Sequence, residues 1–114
     1  AVAAGVRHKA DAIVAEVNNG GDLVTSTIRA VDPRANVRAV RASRGKVTRA
    51  EPVSALAERG LIHHVGEFRH LEDQLTQWDP VHSRKSPDRL DALVWAIHDL
   101  ALSDKRAGPL RAYM

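Results

Sequence analysis

Three carboxylates occupy positions from which they could share metal ions. Glu16 ends the apolar run IVAE, which is typical of a buried strand and stops at the Asn- and Gly-containing residues 18–21. Asp88 and Asp91 are three residues apart in the last helical pattern, so they lie on one helix face. A strand-end carboxylate is costly to bury unless it is paired, hydrogen-bonded or metal-bound. One Glu with one or two helical Asp supplies the oxygen ligands that a two-cation, phosphodiester-cleaving site with Mg²⁺ or Mn²⁺ needs.

Each acid also has a structural interpretation. Glu16 could cap a neighbouring helix or pair with an arginine. Asp88 could be a first-turn acid that the helix dipole stabilises. Asp91 falls at the edge of the apolar stripe and Asp88 further towards solvent, so Asp91 is the better placed ligand. The histidines include no His-x-x-x-His pair, and structural or surface roles are expected for them.

A basic segment lies between the strand-end acid and the helical acids. Its sequence, VRAVRASRGKVTRAEP, suits a surface that follows a phosphate backbone, with solvated surface charge as the alternative. The segment is not a phosphate-binding P-loop, because Val40 and Val47 replace the first Gly and the hydroxyl residue of that motif. The five candidate DNA-binding cations are Arg38, Arg41, Arg44, Lys46 and Arg49.

Alternating apolar periods predict the elements that position these side chains. The opening residues read as the end of a helix that runs into the first strand, and Ser86 and Pro87 suit the N-cap and the first helical position of the last helix. Strand and helix in alternation favour an α/β fold with a parallel sheet covered by helices. Strands are predicted over 11–18, 37–42 and 61–66, and helices over 21–31, 48–59, 68–78 and 86–104.

Composition limits the class of protein. The 114 residues are 44% hydrophobic and 27% charged, without an apolar run near the roughly 20 residues of a membrane span, and no signal peptide is evident, which favours a cytoplasmic setting. The absence of cysteine excludes disulfides, thiolate catalysis and Cys-ligated zinc. A net charge of +3 favours a polyanionic partner. We predict one domain over 1–114 with a flexible tail over 104–114.

Several motifs in order resemble one family. IVAEVNNGGDLV, VRASRGKVTRAEPVSAL, HHVGEF, LEDQL and SPDRLDALVWAI look like the C-terminal nuclease domain of the large terminase subunit, the DNA-packaging motor of tailed bacteriophages, prophages and gene transfer agents. The likeness covers about residues 10–102. It implies an RNase H-like three-layer fold, similar to Holliday-junction resolvases, that cuts concatemeric DNA with two divalent metals in the host cytoplasm. Double-stranded DNA, the portal protein and the small terminase subunit are the partners that it implies.

The resemblance also assigns the acids. Glu16 matches the family's second metal ligand and Asp91 the third, with Asp88 as the accompanying acid. The family's first-strand Asp and the opening strands have no counterpart here. We therefore expect an excised piece with a partial sheet, and whether this piece cuts DNA by itself stays open. An unpaired sheet edge would favour pairing with a second copy. The alternative function is a non-catalytic fragment that binds DNA or a packaging partner through its basic face.

Overall fold

The computed structural model describes residues 1–17, 22–42, 45–79, 81–82 and 87–102. The chain divides into two compact units, Ala1–Ser43 and Arg44–Met114, and each unit is described by itself. The tail predicted over 104–114 lies outside the described residues, and the single domain stays a prediction. In the described part of the chain, no helix is both long and apolar enough to span a membrane.

In its described residues, the N-terminal unit contains two helices and two parallel strands. β1 and β2 pair so that Val14 is opposite Arg38 and Glu16 is opposite Val40. The Val17 amide donates to the Val40 carbonyl at 2.8 Å, which extends the ladder by one bond. The predicted first two strands are therefore confirmed in shorter form, as is the partial parallel sheet. The elements in chain order are α1 (Val2–Arg7), β1 (Ile13–Glu16), α2 (Asp22–Val31) and β2 (Val37–Val40).

The C-terminal unit is helical and is built around its last α-helix. Within this unit, α5 packs against both α3 and α4 and continues directly into one π-helical turn, His98–Leu102. The other elements are α3 (Lys46–Glu58), α4 (Arg69–Gln77) and α5 (Asp88–Ile97). The buried core consists of Val53, Leu71, Leu90, Leu93, Val94 and Ile97.

Helical spacing predicts an apolar stripe in the last helix of Leu90, Leu93, Val94, Ile97 and Ala101, and four of these five residues are buried in this core. The exception is Ala101, which is exposed in the π-helical turn. A π-helical turn holds more residues than an α-helical turn, so the 3.6-residue spacing fails after Ile97. The helix is confirmed, but its regular stripe ends one turn earlier than predicted.

The predicted third strand over 61–66 is wrong. These residues form an irregular segment, in which Ile62 packs against the helical core while Leu61 and Val65 are 58% and 69% exposed. A strand needs a hydrogen-bonding partner, and the described part of this unit contains no other strand. This segment therefore packs Ile62 against the core and does not form the buried face of a strand.

The ends of α3 and α5 also differ from the predicted ends. α3 begins at Lys46 rather than at residue 48, so Pro52 lies inside the helix and not in its first turn. Pro52 has no amide hydrogen, so α3 lacks one backbone hydrogen bond at this position. Gly60 ends α3: at a φ of 71° its amide donates to the Ala57 carbonyl, and the Leu61 amide donates to the Leu56 carbonyl. Pro87 is the N-cap of α5 rather than its first residue.

Candidate metal and nucleic-acid site

Glu16 lies where the strand pattern places it, at the carboxyl end of β1. Its side chain is exposed. Because Val14 is opposite Arg38 in the parallel register, Glu16 and Arg38 lie on the same face of the sheet. The pairing of Glu16 with an arginine, the structural alternative to metal binding, is therefore compatible with the fold.

Asp91 lies in the first turn of α5 and is the most withdrawn of the three candidate acids. Its Oδ2 is 2.9 Å from Nζ of Lys46, the first residue of α3, and the two side chains are 20% and 29% exposed respectively. The sequence assigned these residues to different roles, metal ligand and DNA contact. The structure brings them together as an ion pair between two packed helices.

Asp88 is 82% exposed and takes part in a cap of α5. Its Oδ1 accepts hydrogen bonds from Nε2 of Gln74 at 2.8 Å and from the Arg89 amide at 2.9 Å. Two hydrogen bonds lower the pKa of Asp88 below its ordinary value: the bond from Gln74 has the larger effect, and the bond from the Arg89 amide comes next. These contacts are those of a first-turn acid, which was the structural alternative for Asp88. The role of Asp88 as a metal ligand stays a prediction.

Gln74 caps α5 from the neighbouring helix α4. Its Oε1 accepts from the Arg89 amide at 2.9 Å and from the Leu90 amide at 3.0 Å. Pro87, the N-cap residue, makes no side-chain capping bond, so Gln74 satisfies donors that a Ser or Asp would normally serve. Gln74 thereby fixes the turn that carries Asp88 and Asp91.

Arg49 and Trp95 join α3 to α5 one turn further along. The Arg49 guanidinium lies 4.7 Å from the centre of the Trp95 ring, and the Arg49 carbonyl is 2.7 Å from Nε2 of His98. Arg49 Nε is buried, and the part of the chain that the structure describes offers it no hydrogen-bond acceptor. Arg49 thus takes part in the packing of α3 against α5. Its contact with DNA stays a prediction.

The remaining candidate cations belong to the N-terminal unit or lie outside the described residues. Arg38 is half-buried in β2, and Arg41 is exposed just beyond the end of that strand. Parallel strands end at the same edge, so Arg41 and Glu16 share the carboxyl edge of the sheet. Arg44 and the Asn- and Gly-containing loop over 18–21 lie outside the described residues.

The donor chemistry of the candidate acids fits a hard divalent cation. Carboxylate oxygens are the ligands that Mg²⁺ and Mn²⁺ prefer, and at Asp91 an ammonium already stands as a cation against one such oxygen. In the described part of either unit, no three His, Asp or Glu side chains converge into a group that could hold a metal. The ligand role of Asp91 therefore stays a prediction.

The capping role of Gln74 was not predicted from the sequence. No local signal marks it, because a glutamine that caps a helix 14 residues later has no motif of its own. The one available clue was negative: once Pro87 is the N-cap, the first amides of α5 need an acceptor from elsewhere in the fold.

Comparisons with known proteins agree with the motif order. A family model described as the terminase RNaseH-like domain matches residues 1–100, a range that includes every candidate metal-ligand and DNA-binding residue. No curated protein and no solved structure matches the chain.

Proposed function

This chain belongs to the terminase RNaseH-like domain family and is a terminase nuclease module, and we propose that it acts as a metal-dependent DNA endonuclease in genome packaging. Its substrate on this proposal is concatemeric double-stranded DNA in the cytoplasm of the bacterial host. The portal protein and the small terminase subunit are the proposed packaging partners. An assembly with a second copy through the edge of the two-stranded sheet is part of the same proposal.

Glu16 and Asp91 are the proposed metal ligands, with Asp88 as the accompanying acid. Bound Mg²⁺ or Mn²⁺ would activate a water for attack on the scissile phosphate and neutralise charge on the departing 3′ oxygen. Asp91 contributes a carboxylate that the helix packing holds in place. Asp88 and Gln74 fix the turn that carries it, and the exposed Arg41 guides the DNA backbone towards the sheet edge.

The environment of Asp91 is the observation that carries the proposal. A carboxylate that is only 20% exposed is stable as an anion when a cation stands against it, and here Lys46 provides that cation at 2.9 Å. The family resemblance also assigns this acid to the metal, together with Glu16. Its negative charge, fixed position and partial withdrawal from water are the properties of a metal ligand.

Cleavage of supercoiled plasmid tests the proposal. We expect nicked and linear DNA in Mn²⁺ or Mg²⁺, none in a chelator, and loss of cutting in Asp91→Asn and Glu16→Gln. Asp73→Asn, which removes an exposed carboxylate from α4, is the matched control and should cut like the wild type. Cutting that persists in the chelator or in Asp91→Asn would refute the proposed mechanism.

A non-catalytic DNA- or partner-binding role is the second candidate. The observation that favours it is that the described residues of neither unit bring three potential ligands together. The same experiment separates the two: this alternative predicts that plasmid is retarded in a gel but never cut, with or without metal. Retardation that falls steeply with salt would then identify phosphate contacts as its basis.

A further inference from the structure

Lys46 forms an ion pair with Asp91, the carboxylate that the proposed function assigns to a metal. Both side chains are mostly withdrawn from water, at 29% and 20% exposure. Their attraction is therefore screened less than that of a fully exposed surface pair. A positive charge thus stands directly against Oδ2 of the proposed ligand.

The backbone of Lys46 is held independently of this pair. One turn later in α3, the Arg49 guanidinium lies on the Trp95 ring of α5 and its carbonyl contacts His98. Val53, a further turn along, is buried in the core. A lysine side chain is long and flexible, so it can leave Asp91 by rotation while α3 stays packed on α5.

From this geometry we infer that Lys46 competes with a divalent cation for Asp91 and so restrains metal loading. The inference rests on the proposed function, in which Asp91 is a metal ligand. An ammonium and a dication against one carboxylate repel each other, so each disfavours the other. An anion that draws Lys46 away from Asp91, such as a DNA phosphate, therefore strengthens metal binding. By linkage, bound metal strengthens the binding of that anion by the same factor.

Titration of Mn²⁺, with free Mn²⁺ followed by its electron paramagnetic resonance signal, tests the inference. We expect Lys46→Met to bind Mn²⁺ at least about fivefold more tightly than the wild type. Lys46→Arg keeps the positive charge and should bind no more tightly than the wild type. Arg59→Met, which removes one positive charge from an exposed position just after α3, is the matched control and should stay within about twofold.

The outcomes separate this inference from the proposed function. If Asp91→Asn weakens Mn²⁺ binding but Lys46→Met does not strengthen it, competition by Lys46 is refuted and the ligand role of Asp91 stands. If Asp91→Asn binds Mn²⁺ as well as the wild type does, or if none of these proteins binds it, both ideas fail.

A measurement on the unmodified chain guards against a misfolded variant. With ¹³Cε-labelled lysine, the Lys46 signal should move on addition of Mg²⁺ towards its position in metal-free Asp91→Asn. A Lys46 signal that stays fixed while Mg²⁺ binds would show that the ion pair survives metal loading, and would overturn the inference.

Discussion

Removal of the Gln74 side chain should loosen the turn that carries the helical acids. In Gln74→Ala, the Arg89 and Leu90 amides lose the Oε1 acceptor, and Asp88 loses the donor Nε2. Alanine is a good helix former, so α4 itself is not weakened by the change. The expected loss of stability therefore comes from the cap of α5.

The size of this effect depends on which of the α5 amides keep a hydrogen-bond acceptor in Gln74→Ala. The Arg89 amide keeps a second acceptor in Asp88 Oδ1, whereas the part-buried Leu90 amide loses its bond to Gln74. One lost bond plus one weakened bond at a helix N-terminus costs about 1–2 kcal/mol. For a chain of this size, that corresponds to a decrease in Tm of roughly 5–10 °C.

Thermal unfolding measured by circular dichroism and by tryptophan fluorescence checks this expectation, since Trp95 lies in α5. Gln77→Ala removes the same side chain from an exposed position on the same helix and is the matched control. A Tm for Gln74→Ala within about 1 °C of the Gln77→Ala value would refute the capping role.

Three further predictions concern the stability of the helices. Gly60→Ala forces a side chain into a φ of 71° and should lower the free energy of unfolding in urea by about 1 kcal/mol, whereas Gly5→Ala, inside α1 with only ordinary contacts at 3.9 Å around its Cβ position, should not lower it. Leu93→Ala should lower the free energy of unfolding by about 3 kcal/mol in the same assay, because Leu93 is only 4% exposed. Leu75→Ala should lower it far less, because Leu75 is 41% exposed. The lowered pKa of Asp88 means that folding favours its ionised form, so this stabilisation is complete above the ordinary pKa and is lost as pH falls through the lowered one. In acid unfolding, the stability difference between wild type and Asp88→Asn should therefore be constant near pH 5–7 and shrink below about pH 4; a difference independent of pH would contradict the assignment.

Periodicity predicted the elements whose burial is one-sided and regular. α5 carries apolar residues at helical spacing and packs against two helices, so its sequence pattern and its environment agree. β1 and β2 were recognised for the same reason, although β1 was predicted two residues too long at each end and β2 two residues too long at its carboxyl end. The acids at the ends of these elements could accordingly be placed at the sheet edge and in the first turn of α5.

The errors arose where tertiary contacts decide the structure. An apolar run such as residues 61–66 is compatible with a strand, but only a neighbouring strand can make it one. The contacts of Asp91 with Lys46, and of Gln74 with the α5 amides, join positions far apart in sequence, so no spacing rule predicts them. A pattern could identify the candidate ligand Asp91, but not the cation that stands against it.

Calorimetric titration of Mn²⁺ into the purified chain, beside the double variant Glu16→Gln, Asp91→Asn, is the most direct test of the central claim. We predict saturable binding to the wild type that the double variant loses, because both changes keep the side-chain shape and remove only the charged oxygen donors. Equal binding by the two proteins, or no binding by either, would contradict the claim that these carboxylates form a metal site.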